Sequence, residues 1–147
     1  KDCGSCKGGV WLSDNSWAYD IGTVVFSIVK TKAKPKLEPK YPTIYFTSNG
    51  KKLSDAIFPT VYIHRMAAAE RGTDLEGLTI NATLEPFQVD LFTNTSQSDV
   101  GRIMSVVADV FKEMRFKVIA LPEFNEGDTY RSTARFQRAI GANDSLT

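Results

Sequence analysis

The chain has 147 residues, 42% of them apolar and 24% charged, with a formal net charge of +1. That length and balance describe one globular domain and exclude disorder, a collagen-like repeat and a disulfide-dense scaffold for the chain as a whole. Near-neutral charge gives no bulk attraction to nucleic acid or to an anionic membrane.

The charge is uneven along the chain. Residues 1–66 hold 10 basic and 5 acidic residues, whereas residues 67–147 hold 8 basic and 12 acidic residues. This polarity fits a two-faced molecule that stacks head to tail, or a single lysine-rich helix end. No apolar run approaches the roughly 20 residues of a membrane helix. Residues 1–19 lack the apolar stretch of a secretory signal. They carry Gly4, Gly8 and Gly9, isolated Trp11 and Trp17, and both cysteines, Cys3 and Cys6. No period of 2 or 3.6 is sustained there, so they read as an appendage to a domain spanning residues 20–147. A single C-x-x-C lacks the four ligands of a structural zinc site, and nothing before it supplies the strand of a redox motif.

Asp20 is expected to cap a first helix. Its apolar stripe is Ile21, Val24, Val25, Ile28 and Val29. Lys30, Lys32 and Lys34 suit its C-terminal dipole, and Pro35 is expected to end it near Ala33 or Lys34. Residues 43–47 are β-branched and aromatic and predict a strand, followed by the turn signal Asn49-Gly50. Residues 60–66 predict a second strand with Val61, Ile63 and Arg65 on one face and Tyr62, His64 and Met66 on the other. Residues 67–78 read as a polar loop, its alanines and Glu70 able to form a turn of helix.

A long strand is expected over residues 79–93, bent near Pro86. Phe87, Val89 and Leu91 alternate with Gln88, Asp90 and Phe92, giving one buried face and one mostly wet face. Ser96 and Asp99 resemble a capping box. Val100, Ile103, Met104, Val107, Val110, Phe111 and Met114 then form a strong amphipathic helix. Residues 117–121 predict a strand ended by Pro122, residues 123–129 an acidic loop, and residues 130–139 a last strand. Helices and strands do not alternate strictly. An α+β two-layer domain follows, a mainly antiparallel or mixed sheet of about four to five strands with two helices on one face.

No catalytic set emerges. His64 is the one histidine, and neither a phosphate-binding glycine loop nor a nucleophile elbow is present. Glu123, Glu126 and Asp128 lack the ligand spacing of a calcium loop. No enzyme activity, metal or cofactor is expected.

Several stretches carry a family resemblance. They are residues 20–34, Tyr45-Phe-Thr-Ser-Asn-Gly-Lys51, Phe58-Pro-Thr-Val-Tyr-Ile63, Phe87-Gln-Val-Asp-Leu-Phe-Thr-Asn94, the second helix, Met114-Arg-Phe116 and Tyr130-Arg-Ser-Thr-Ala-Arg-Phe136. From Asp20 to Leu146 the chain resembles the tail terminator (tail completion) proteins of long-tailed phages and prophages; residues 1–19 do not match. The resemblance implies a structural virion protein at the head-proximal end of the tail, assembled in the host cytoplasm. It implies a homo-hexameric ring that caps the tail tube, ends elongation and docks to the head completion or connector protein, with DNA passing through its lumen unread. Lys51, Lys52, Arg71, Asp74 and Glu76 are the candidate interface residues. The competing readings are another head–tail joining protein of the head-completion or stopper type, and a small nucleic-acid-binding module using the lysines from Lys30 to Lys40. An enzyme or redox protein using Cys3 and Cys6 is the remaining alternative.

Overall fold

The computed structural model describes residues 15–49, 57–71, 77, 79–125 and 129–146; for residue 71 and residues 120–125 the description stops at the backbone. The first element is α1 (Ser16–Leu37), whose buried stripe is Ala18, Ile21, Val25, Val29, Ala33 and Leu37. These recur every three or four residues, so one helical face enters the core.

Both ends of α1 differ from the sequence expectation. The helix begins at Ser16, which places Asp20 inside it rather than at its cap. Asn15 precedes it without capping it, because its Oδ1 accepts a hydrogen bond from the Ile80 amide at 3.0 Å. Tertiary contact, not a local cap, therefore sets the helix start. At the other end Pro35 lies within the helix. Proline removes one intrahelical bond, yet the next turn persists through Glu38 N donating to Lys34 O at 2.8 Å. Leu37, 3% exposed, anchors that turn in the core, and Tyr41 N donates to its carbonyl.

Strands β1 (Tyr45–Thr47) and β2 (Thr60–Arg65) pair in parallel. β3 (Ala69–Arg71) and β4 (Ala82–Thr93) are antiparallel, with Glu70 opposite Thr83. Residues 69–71 are thus strand, not loop or helical turn. Three residues have too little pattern to announce a strand; β4 supplies the partner that defines it. The second helix, α2 (Gln97–Glu113), starts as expected, with the Ser96 side chain accepting from the Asp99 amide. β5 (Lys117–Asn125) and β6 (Tyr130–Gly141) complete the chain. β5 runs through Pro122 instead of stopping before it. It is an edge strand, where proline need not donate to a neighbour, and its register with β6 shifts twice.

The sheet has six strands in the order β1-β2-β4-β6-β5, with β3 pairing β4 beside the end of β2. It is a mixed sheet, larger than expected by the added β3, and the fold is α+β. Both helices cover one face. Val61, Ile63, Phe87, Val89, Leu91, Ala134, Phe136 and Ile140 point into the core they share. At its centre Phe111 of α2 stacks on Phe136 at 4.4 Å between ring centroids and meets Phe116 edge-on at 5.2 Å. The Lys32–Glu113 ion pair, 3.6 Å, links the helices at the surface, where such pairs contribute little.

Helix α2 ends in a Schellman turn: Phe116 N donates to Phe111 O, and Arg115 N to Lys112 O. Arg115 occupies the left-handed position with φ 66°, which disfavours any residue with a Cβ. Arg115→Gly is expected to stabilise the fold by roughly 0.5–1 kcal/mol, read as a higher urea midpoint at unchanged slope. An unchanged or lower midpoint would show that the arginine side chain offsets its backbone penalty.

Candidate functional site

The face of the sheet away from the helices carries a polar network. Alternation along β2, β4 and β6 puts Tyr62, His64, Gln88, Asp90, Thr133 and Arg135 on this side, with Tyr62 opposite Asp90 and Asp90 opposite Thr133. Asp90 is the hub. Its Oδ1 accepts from the Thr133 hydroxyl at 2.7 Å and from Arg131 at 3.3 Å. Its Oδ2 lies 3.2 Å from His64 Nε2 and 3.2 Å from the Gln88 amide nitrogen. A carboxylate only accepts, so the proton between His64 and Asp90 sits on Nε2. Arg135 extends the chain by donating to Gln88 Oε1 at 3.0 Å. Tyr62 stacks on the His64 ring at 4.3 Å, and the Arg131 guanidinium stands 5.3 Å over the Phe92 ring.

This network corrects the expectation of a mostly wet face at Asp90, which is only 4% exposed. The alternation was right about direction; the cross-strand partners close over the carboxylate. Burial pushes the Asp90 carboxyl up, but hydrogen bonds from Thr133, Gln88, His64 and Arg131 outweigh it and hold the group below its ordinary value of 3.8. Asp99 is also held low, by bonds from Thr95 and Tyr41. Between the folded value and 3.8 the unfolded chain binds more protons, so stability falls as pH drops through that range. Acid titration of unfolding should show this loss. Asp90→Asn should be less stable at neutral pH and lose less on acidification, with Asp99 leaving a residual slope. Parallel curves for the two proteins would refute the assignment.

A histidine bonded to a buried carboxylate is also two-thirds of a hydrolytic triad. A third member would be a hydroxyl or thiol against the other ring nitrogen. The Thr133 hydroxyl of the network donates to Asp90. The arrangement ties β2, β4 and β6 together and presents Arg131 and Arg135 at the surface. Among the described residues no group of three or more His, Cys, Asp or Glu could hold a metal ion. No described helix is long and apolar enough to cross a membrane.

A concave feature lies elsewhere among the described residues, at the corner where β2 gives way to β3. A shallow groove of about 390 Å³ is lined there by Ala18, Tyr19, Met66, Ala68, Ile80 and Glu70, among others. Arg65 lines it and is held from beneath in an ion pair with the buried Glu85. Arg65 Nε donates to Glu85 Oε1 at 2.6 Å and its terminal nitrogen to Oε2 at 2.8 Å, a fork-to-fork pair. The same terminal nitrogen bonds the Ala18 carbonyl at 2.8 Å, and the Thr83 hydroxyl donates to Glu85. α1 passes over the pair at Gly22, where a Cβ would make an ordinary 3.4 Å contact with Arg65 Cδ. Tyr19 is 75% exposed and Met66 37%, so the rim is apolar and open.

Of the candidate interface residues, Lys51, Lys52, Asp74 and Glu76 lie outside the described residues, as do Cys3 and Cys6. Arg71 is placed by its backbone on β3, opposite Ala82. Sequence reasoning missed the Asp90 network and the Arg65–Glu85 pair. Their signal was present as charges at core-facing or mid-strand positions, but pairing them required the strand register. No protein-family description and no curated protein matches the chain.

Proposed function

We propose that this chain is a phage tail terminator: a structural virion protein that forms a homo-hexameric ring on the tail tube, stops its growth and joins the tail to the head connector. The sequence resemblance from Asp20 to Leu146 is the observation that carries the reading. Its stretches fall on α1, β1, β2, β4, α2 and β6, the elements of both layers of the α+β domain. A ring also needs unlike surfaces that meet in a closed cycle. The apolar groove at one sheet edge and the edge strand β5 at the other are consistent with that need. On this reading the Asp90 network stiffens the sheet, and no chemistry is asked of His64.

Native mass spectrometry of the full chain tests the proposal, alone and mixed with the tail-tube protein of the same genome. A six-fold species, free or seated on tube ends, is expected. A chain that stays monomeric and ignores tube ends at every concentration would overturn it.

A further inference from the structure

Resting on the ring reading, we infer that the β2–β3 groove of one copy receives the start of β5 from the next copy, joining copies head to tail. The sheet order places these features on opposite edges: β3 on the outer side of β4, and β5 at the far side of β6. They share one end of the sheet. β3 is level, through β4, with Ala139 to Gly141 of β6, and Lys117 and Val118 are level with Gln137 and Phe136.

The chemistry of the two edges is complementary. The groove is an apolar recess bounded by Tyr19, Met66, Ala68 and Ile80. The start of β5 presents Ile119, a β-branched side chain left 45% exposed on an edge strand. It sits in the gap between Val118 and Ala120 where the register with β6 shifts, so the sheet does not hold it inward. Acidic side chains flank the recess, Glu70 in its lining and Asp20 beside Tyr19. Basic side chains flank the isoleucine, Lys117 on its strand and Arg115 just before it. All four charges are exposed and make no ion pair with another described residue. Unlike patches on opposite edges make a heterologous contact, the kind that generates rings when the rotation closes. Opposite charges around an apolar centre fix its direction and register. The same side chains disfavour a two-fold dimer, because each patch facing its own copy sets like charges together.

Cross-linking tests the contact in the full chain carrying Cys3→Ser and Cys6→Ser. One preparation adds Ala68→Cys and a second adds Ile119→Cys; both positions are exposed, and thermal melts confirm folding. Mild oxidation of the mixture, with tube protein present, should give a disulfide-linked pair that neither preparation gives alone. Glu70→Lys should weaken self-association roughly ten-fold or more, and adding Lys117→Glu should restore it. Rings in the mass spectrum with no mixed cross-link and no charge-swap rescue would overturn this contact and leave the ring reading standing. Absence of any oligomer, on tube ends included, would overturn both.

Discussion

Glu85→Ala is expected to destabilise the fold by about 3 kcal/mol, the lower end of the range for removing one partner of a buried ion pair. The lower end applies because Arg65 is not sealed in: its side chain keeps 25% exposure, whereas that of Glu85 has none. Without the carboxylate, the guanidinium retains the Ala18 carbonyl but loses both bonds of the fork. The Thr83 hydroxyl loses its acceptor as well. The melting temperature should fall by roughly 6–12 °C for a chain of this size. Arg65→Met with Glu85→Leu should behave differently. Paired removal leaves no orphaned charge, so the double variant should come within about 1 kcal/mol of the parent. A double variant as unstable as the single one would mean that the pair's shape, not its charge balance, seats α1.

How much of this could be read from the sequence depends on whether a residue's role is local. Helix α2 was fully legible. Val100, Ile103, Met104, Val107, Val110, Phe111 and Met114 are all buried, and Ser96 caps as its position suggested. Period and cap are local properties, so no partner was needed to see them. The facing of β2 was equally plain, with Val61 and Ile63 buried. The start of α1 was not legible, because Asn15 answers to Ile80, 65 residues away. Pro35 carried a breaker signal that the burial of Leu37 overrides. β3 and the outer half of β5 exist only against neighbours chosen by topology. The two charged clusters failed for the same reason. Asp90 draws its partners from β2, β4 and β6, and Glu85 from β2 and β4, so each needed the register before it could be recognised.

Phe111→Ala is expected to cost about 4–5 kcal/mol, the upper part of the range for deleting a buried aromatic. The side chain is fully buried and lies among three other rings: stacked on Phe136 at 4.4 Å with planes 1° apart, edge-on to Phe116 at 5.2 Å, and tilted to Phe87 at 6.1 Å. Phe87 and Phe116 also meet each other, edge-on at 5.6 Å. Three of these rings come from the sheet side or the turn after α2, so collapse around a void would have to move the sheet and the helix end together. That rigidity is why little relief of the cavity penalty is expected. Against the roughly 5–15 kcal/mol of a typical domain, such a loss is a large fraction of the total. Phe111→Leu keeps most of the volume and should cost much less. The contrast with Ile119→Asp then separates folding from assembly. Phe111→Ala should lower the urea midpoint sharply and remove oligomers only because folded chain is lost, with addition of tube protein partly restoring both. Ile119→Asp should leave the midpoint unchanged and remove oligomers all the same. Equal destabilisation by the two substitutions would place Ile119 in the fold's own packing and withdraw it from the contact between copies.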